Sequence, residues 1–281
     1  MCLNVKSKDI CQFFTERLKK TDMAHWGYMT KNGPSTWGKD FPIANGERQS
    51  PIDIVTSAAE YDSDVQGSSP LSTNYTPESE VKLVNNGHSI MCQITKKGVL
   101  TGGPLGKDEY RLEQFHLHWG AEDGRGSEHT VDGKMYASEL HLVHWNATKY
   151  SSFADAVQKP DGLAVLGIFI TPGVACNQFK VISDNCGKLK TSGAEMTVET
   201  TLDPTLLLPS NTSDYWTYLG SLTTPPLFES VTWIVFKEPV EYSKEQLSAL
   251  RNLVDSDDNP MQDNNRPPAP LKQRKVKKTF T

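Results

Sequence analysis

Short apolar runs separated by turn signals are the main pattern of the chain from Gly27 onward. Glycine, asparagine and proline interrupt it repeatedly, as at Asn32-Gly33-Pro34 and Gly102-Gly103-Pro104. These residue types favour turns that end one element and begin the next. The pattern therefore predicts a β-rich fold of short strands joined by turns.

Five runs have the composition of strands, at residues 81–84, 114–119, 139–145, 163–170 and 231–236. The sequence Asn85-Asn86-Gly87 after the first run predicts a tight turn between two strands. The fourth run has no polar alternation, which predicts a strand buried on both faces near the centre of a sheet.

Helical spacing of apolar residues occurs in two segments, at Leu247, Leu250 and Val254 in 243–254 and at Ile10, Phe14 and Leu18 near the N-terminus. The second predicts a short amphipathic helix in an N-terminal extension, residues 1–22. The rest, 23–281, is predicted to be a single domain. We expect an α+β, predominantly β fold, with a large central twisted, mostly antiparallel sheet and short peripheral helices.

The composition is that of a soluble globular protein. The chain has 281 residues, 37% of them hydrophobic, and a formal net charge of -5. This balance does not indicate a nucleic-acid partner, and no apolar run approaches the ~20 residues of a membrane-spanning helix. The N-terminus lacks the apolar stretch of about 7–15 residues that is typical of a secretory signal. We expect a monomer with a small-molecule substrate, no nucleic-acid partner and no transmembrane segment.

The five cysteines are Cys2, Cys11, Cys92, Cys176 and Cys186. Their number is odd and no C-x-x-C pair occurs, which is typical of a reduced intracellular protein rather than a disulfide scaffold. We therefore expect a cytoplasmic location. A bridge between the last two cysteines stays open, because it depends on the distance between their Cα atoms.

His116 and His118 are the strongest candidates for chemistry. Alternate side chains of a strand share a face, so both rings point the same way, about 7 Å apart along the chain. In the next histidine-containing strand, His141 shares a face with Glu139 and Val143. If the two strands pair, three imidazoles and a water form the open tetrahedral arrangement of a catalytic zinc site.

Two polar residues support a metal site. Gln114 lies two positions before His116, and Glu139 lies two before His141, so each shares the face of its histidine. Metal-bound imidazoles usually donate their second N–H to a carboxylate or carbonyl oxygen, and these side chains are suitable acceptors. His144 falls on the face opposite His141 and is predicted to be structural.

Other interpretations of these histidines stay open at this point. A single strand histidine is more often a hydrogen-bonded structural residue than a ligand, and imidazoles accept several divalent metals. The spacing of His116, His118 and Glu122 also matches the core of the metal motif of cupins, a small β-barrel family that includes oxygenases. That motif requires glycines where this chain has Tyr110 and His129, which argues against a cupin.

Longer stretches point to one family. They are 25–28 (HWGY), 41–54 (FPIANGERQSPIDI), 85–88 (NNGH), 114–120 (QFHLHWG), 126–131 (GSEHTV), 139–145 (ELHLVHW), 221–226 (SLTTPP) and 231–233 (VTW). With these stretches in this order, the chain resembles the α-class carbonic anhydrases over nearly all of residues 25–280, and most of all their cytosolic animal forms.

The resemblance implies zinc-dependent, reversible hydration of carbon dioxide to bicarbonate and a proton, by attack of a zinc-bound hydroxide. His116, His118 and His141 match the zinc ligands, and Gln114 and Glu139 match the residues that hydrogen-bond to the ligand rings. Zinc lowers the pKa of bound water from about 15.7 to about 7, a value established for carbonic anhydrases themselves.

The resemblance also implies substrate-binding residues. Thr223 matches the threonine that accepts the hydroxide proton and donates its own to Glu128, and Thr224 matches a residue that helps to place bicarbonate. The residues that match the apolar wall for carbon dioxide are Val143, Val165, Leu222, Val231 and Trp233.

Tyr28, Asn86 and His88 match the wetter, opposite side of the family's site, where His88 matches the proton shuttle. Its place just after a turn predicts an exposed ring with a pKa near the ordinary value of about 6.5. A shuttle of that pKa exchanges protons with zinc-bound water almost thermoneutrally.

Some positions depart from the family pattern. Asn265 replaces an aromatic residue, Leu219 a common proline and Met91 a polar residue of the pocket wall. None of them is a ligand, so the resemblance does not determine rate or inhibitor preference, whereas the implied reaction is unaffected. Extracellular members typically carry a disulfide at the positions held here by Ala44 and Leu227, so that bridge is excluded.

The alternative function is that of a catalytically inactive carbonic anhydrase-related binding protein. Such proteins typically replace at least one of the ligand histidines. This chain keeps His116, His118 and His141 together with Thr223 and Glu128. The resemblance therefore favours the enzyme.

Overall fold

The computed structural model describes residues 25–66, 69–96 and 98–281. The helix predicted within residues 1–22 lies outside these ranges, and so does the boundary predicted between extension and domain. None of the described helices is long and apolar enough to cross a membrane.

Strands dominate the described part of the chain. In chain order they are β1 (Asp53–Ile54), β2 (Glu60–Tyr61), β3 (Ser72–Tyr75), β4 (Glu78–Asn85), β5 (Ile90–Gln93), β6 (Gly98–Thr101), β7 (Tyr110–Trp119), β8 (Thr130–Val131), β9 (Ser138–Asn146), β10 (Leu163–Pro172), β11 (Glu195–Leu202), β12 (Tyr215–Gly220), β13 (Val231–Phe236), β14 (Val240–Tyr242) and β15 (Lys277–Lys278). All five runs predicted to be strands are confirmed, in β4, β7, β9, β10 and β13.

Thirteen of these strands form one sheet, whose main path runs β11-β4-β5-β7-β9-β10-β13-β12-β15-β2. β6 joins β3 to β7, and β14 pairs with β10. Among the described strands of this sheet, parallel pairing is limited to β10 with β13, β10 with β14 and β15 with β2. β1 and β8 form a separate parallel pair. The predicted large, mostly antiparallel sheet and the α+β, predominantly β class are confirmed.

The helices of the described residues are short. The α-helices are α1 (Ser63–Gln66), α2 (Phe153–Ala156), α3 (Lys180–Ser183) and α4 (Lys244–Leu250), and the 3-10 helices are Trp37–Lys39, Pro42–Asn45, Gly103–Leu105, Cys186–Leu189 and Pro204–Leu207. Ser243 and Gln246 form a capping box that starts α4. The helix ends before Val254, contrary to the predicted span of 243–254, because the Val254 N–H bonds to the carbonyl of Lys190 instead.

The centre of the sheet is fully covered. β10 lies between β9 and β13, and all of its residues from Leu163 to Ile170 are buried, as its continuous apolar sequence predicts. Alternation along β7 sends Phe115 and Leu117 into the hydrophobic cluster on one face. The other face carries the histidines beside a second hydrophobic cluster.

The turn between β4 and β5 is confirmed. The two strands pair from Asn85 opposite Ile90, and the Asn86 N–H donates to the carbonyl of Ser89 across the turn. Since β5 pairs with β7, this turn brings His88 to the end of the sheet where β7 ends.

Candidate metal centre

Strands β7 and β9 bring the three predicted ligands together. His116 lies directly opposite His141 in the antiparallel register, and His118 follows on the same face of β7. One ring nitrogen of each histidine lies within 4.8 Å of the others. The sequence spacing and the pairing of the two strands therefore suffice to build a three-nitrogen cluster.

The other nitrogen of each ring has a hydrogen-bond partner. His116 Nδ1 lies 2.9 Å from Gln114 Oε1, and His141 Nε2 lies 2.8 Å from Glu139 Oε1, as the offsets in the sequence predict. His118 Nδ1 lies 2.7 Å from the backbone oxygen of Asn264, a partner that the sequence does not reveal. These bonds leave Nε2 of the two β7 rings and Nδ1 of His141 for a metal.

The donor set fits a metal ion. His118 Nε2 is buried and has no hydrogen-bond partner, which is uncommon for a buried polar atom. Burial and the two neighbouring rings hold the pKa of His116 well below its ordinary value, and burial lowers the pKa of His118. Both rings are therefore neutral at pH 7, the form in which imidazole binds a metal. Three neutral imidazole nitrogens are the donors of an open zinc site.

Glu139 also forms a hydrogen bond with a second histidine, His129, which was not predicted from the sequence. Its Oε1 lies 2.7 Å from His129 Nδ1, and its Oε2 accepts the backbone N–H groups of Glu128 and His129. Burial alone would raise the pKa of Glu139, but the adjacent rings of His129 and His141 hold it well below its usual range. The carboxylate therefore stays ionised and fixed against His141. His129 lies in a loop without periodicity, so no pattern indicated its direction.

Glu128 is fully buried beside the cluster. Its Oε1 accepts the backbone N–H of Arg266, and its Oε2 lies 3.3 Å from His118 Nε2 without a hydrogen-bond partner. The hydrogen bond implied from the Thr223 hydroxyl is not formed in this arrangement, because Oε2 faces the ring nitrogens instead. Thr223 itself is buried, and Thr224 is half-buried.

The predicted apolar wall is assembled on the same face of the sheet. Its five residues, Val143, Val165, Leu222, Val231 and Trp233, belong to or pack against one hydrophobic cluster. The Trp233 ring centroid lies 4.8 Å from that of His141. An apolar surface therefore borders the histidine cluster at His141.

The side of Tyr28 and His88 differs from the prediction. His88 is half-buried rather than exposed, because its ring stacks on Trp26 with a centroid distance of 3.7 Å. Burial, followed by the nearby His25 ring, lowers the pKa of His88 to about 4. The predicted exposed ring with an ordinary pKa is therefore wrong for this arrangement.

Two further residues on this side were predicted to line it. Asn86 is exposed, and its Oδ1 accepts the backbone N–H groups of His88 and Ser89. The Tyr28 hydroxyl is buried without a hydrogen-bond partner, and burial, followed by the charge of Glu128, raises its pKa well above 10. The tyrosine therefore stays protonated at neutral pH.

A cavity of about 500 Å³ lies away from the histidines, beside β12 and β15. None of the predicted site residues lines it. Its Lys277 is paired with Asp62 at 2.7 Å, so this charge is already neutralised. The cavity offers no donor set comparable to the histidine cluster.

Comparison with known proteins identifies the family. The family model of the eukaryotic-type carbonic anhydrases matches residues 32–280. Carbonic anhydrase 1 of Mus musculus is 50% identical over 264 residues, which cover 92% of this chain and 99% of that protein. The chain therefore belongs to the eukaryotic-type carbonic anhydrases and is an enzyme that hydrates carbon dioxide reversibly.

Proposed function

We propose that this carbonic anhydrase works through a zinc ion held by His116, His118 and His141. The observation that carries the proposal is the buried Nε2 of His118, which has no hydrogen-bond partner while ring nitrogens of the other two histidines lie within 4.8 Å. When bound, zinc supplies a Lewis acid that makes water nucleophilic at neutral pH.

Three oxygen acceptors would hold the ligand rings in one orientation. They are Gln114 Oε1, Glu139 Oε1 and the backbone oxygen of Asn264. Each takes the N–H of one ring, so the opposite nitrogen presents its lone pair to the cluster. Glu139 is itself held by two backbone N–H groups, which supports a fixed position for His141.

Carbon dioxide is apolar and would bind against the hydrophobic wall, whose Trp233 ring packs beside His141. Thr223 would orient the nucleophile by accepting a hydrogen bond from it and donating one to Oε2 of Glu128. Thr224 would help to place bicarbonate. Oε2 of Glu128 faces the ring nitrogens but has no hydrogen-bond partner, so a small rotation of this carboxylate toward Thr223 would complete the bond.

The proton released in each cycle would leave through His88, along a side lined by Tyr28 and Asn86. While stacked on Trp26, the ring has a pKa of about 4 and holds a proton poorly at neutral pH. We therefore propose that the ring leaves the stack to accept a proton, since a hydrated imidazole has a pKa of about 6.5.

We further propose a cytoplasmic monomer that acts on carbon dioxide and bicarbonate, with no nucleic-acid partner. Cys92, Cys176 and Cys186 are all free thiols, which supports a reducing compartment. Ala44 and Leu227 at the family's disulfide positions point in the same direction.

Metal analysis combined with stopped-flow hydration of carbon dioxide tests the proposal. We expect one zinc per purified chain and hydration that chelation abolishes. A folded chain without stoichiometric zinc and without hydration would contradict the proposal and favour the inactive binding protein.

A ligand variant sharpens this test. His141→Ala is expected to weaken zinc binding by more than about 100-fold, because even the hydrogen-bond partners of ligands typically contribute about 10–100-fold. His144→Gln is the matched control, since His144 lies on the same strand and points to Tyr75 on the other face. Retention of zinc by His141→Ala would show that the ligand set is wrong.

A further inference from the structure

We propose that Asn264 is a positioning residue that fixes the turn carrying His88 to the strand carrying His118. The inference rests on the proposed function, because it assigns Asn264 a part in the proton transfer of the same site. The side-chain amide of Asn264 joins two segments that carry different steps of the reaction.

Asn264 makes four contacts around the site. Its backbone N–H donates to the carbonyl of Trp119 at 3.4 Å. Its backbone oxygen lies 2.7 Å from His118 Nδ1. Its side-chain Oδ1 accepts the backbone N–H of Trp119 at 2.8 Å, and its side-chain Nδ2 donates to the backbone oxygen of His88 at 2.9 Å. One residue therefore contacts a ligand ring, the end of the ligand strand and the backbone of the proposed shuttle.

Burial strengthens the hydrogen bonds of the Asn264 side chain and restricts its motion. Asn264 is 1% exposed, so water does not compete for its amide. Leaving such a buried donor or acceptor without a partner costs more than the bond itself contributes. Because the amide group is planar and rigid, the carbonyl of His88 and the N–H of Trp119 are held at a fixed separation.

The other bonds that reach the turn from outside hold the two neighbours of His88 rather than His88 itself. The Ser256 N–H donates to the carbonyl of Gly87 at 3.0 Å. The His88 N–H donates to Asn86 Oδ1, which belongs to the turn itself. Ser89 Oγ donates to the carbonyl of Leu117, which attaches the following residue to β7. Among the described residues, Asn264 is the one that holds the His88 backbone from outside the turn.

Loss of the hydrogen bond between Asn264 and the His88 carbonyl should slow proton transfer more than the hydration step. Proton transfer requires a short and well-oriented path, and a displacement of about 1 Å can slow an enzymatic step by about 100-fold. Releasing the His88 carbonyl lets the His88 peptide shift between Gly87 and Ser89, which stay tied, while the three ligand histidines stay on their strands. We therefore expect proton transfer to be affected separately from the hydration step.

Two variants separate the contacts of Asn264. Asn264→Asp keeps an oxygen for the Trp119 N–H and keeps the backbone oxygen near His118, but replaces the donor to the His88 carbonyl with a carboxylate oxygen. Asn264→Ala removes both side-chain contacts. Asn185→Asp is the matched control, because Asn185 also donates its amide to a backbone carbonyl, that of Val181, in a peripheral helix.

Each variant is loaded with zinc and measured at low buffer concentration, with and without added imidazole. For Asn264→Asp we expect kcat to fall by up to about 100-fold, kcat/KM to stay unchanged and imidazole to restore kcat. The rate of zinc release to a chelator, a readout independent of activity, should equal that of the unmodified protein. For Asn264→Ala we expect zinc release also to accelerate, by about 10-fold, because the segment next to His118 loosens.

Unchanged kcat of Asn264→Asp at low buffer concentration would overturn the inference. So would an equal loss of kcat and kcat/KM that imidazole does not restore, because it would indicate a general structural role. Should Asn264→Ala fail to fold, Asn264→Asp decides the question. Failure of the proposed function is distinguishable, since it would appear as absent zinc or absent hydration in the unmodified protein.

Discussion

Two effects lower the pKa of His88 to about 4. The larger is burial of the ring, to which the stack on Trp26 contributes, and the smaller is the charge of the nearby His25 imidazole. Because the shift is downward, the stacked ring stays neutral from about pH 4 upward and takes a proton only in more acidic solution. A residue that looks like an ordinary surface histidine in the sequence is therefore held in its neutral form by burial and by the nearby His25 ring.

Trp26→Ala should return the His88 ring to water. We expect its pKa to rise from about 4 toward about 6.5, followed by NMR of the imidazole C2–H resonance. His25→Ala is the control, and it should raise the pKa less, because His25 is a smaller cause than burial. A pKa that stays near 4 in Trp26→Ala would show that the stack is not the source of the shift.

His88→Ala removes the proposed shuttle. We expect turnover at low buffer concentration to fall by at least about 10-fold, since positioned acid–base groups contribute about 100-fold or more. Added imidazole should restore turnover, because it carries the proton in place of the missing ring. Unchanged turnover at low buffer concentration would refute the shuttle role.

At the scale of elements, β9 carries a different kind of histidine on each face. His141 faces the histidine cluster, whereas His144 is fully buried on the other face, with Nε2 at 2.8 Å from the Tyr75 hydroxyl and Nδ1 at 3.2 Å from the Ala164 carbonyl. Burial lowers the pKa of His144 to about 3. We expect this ring to act on stability rather than on the reaction.

His144 should make the fold sensitive to acid. Below about pH 6.5 the unfolded chain takes up a proton that the folded chain refuses down to about pH 3. The free energy of unfolding should therefore fall with decreasing pH in this window, by about 1.4 kcal/mol per pH unit for one proton.

Denaturant titrations of the unmodified protein and His144→Gln at several pH values measure this contribution. The glutamine does not titrate. Between the two pKa values, the free energy of unfolding of the variant should therefore change less steeply with pH, by a slope that corresponds to nearly one proton. Parallel pH dependences would contradict the assignment.

The elements that carry the site could be predicted from the sequence. Alternation places His116 and His118 on one face of β7, and the same rule places Glu139 beside His141 on β9. These relations hold within a strand or between paired strands, so two-residue periodicity determines them.

The contacts made by loops could not be predicted in this way. Asn264 reaches His118 across 146 positions of sequence and lies in no regular element. His129 likewise contacts Glu139 from a loop. The stack of His88 on Trp26 depends on where the chain enters the domain, which no local pattern encodes.

In the molecule as a whole, contacts within the chain already position the three histidine rings without a metal. The rings are held by Gln114, Glu139 and Asn264, and the strands beneath them lie in a continuous sheet. We therefore expect the metal-free protein to keep its fold, with metal binding adding stability to a structure that already exists.

Zinc titration followed by calorimetry tests this expectation. Free zinc at 100 times its dissociation constant should add about 2.7 kcal/mol to the free energy of unfolding, through preferential binding to the folded state. The metal-free protein should still unfold cooperatively, and His141→Ala should show a much smaller zinc-dependent shift. A metal-free chain without a cooperative transition would show that the metal is needed for folding.

The position of β7 and β9 within the sheet has a further consequence. Both strands have paired neighbours on each side, whereas β11 and β2 form the two ends of the main path. Fraying at the ends opens backbone hydrogen bonds without separating the two strands that share the ion. Separation of the two histidine-bearing strands therefore requires the middle of the sheet to come apart, so this route to loss of the ion follows the rarest opening events of the molecule rather than the breathing of its edges.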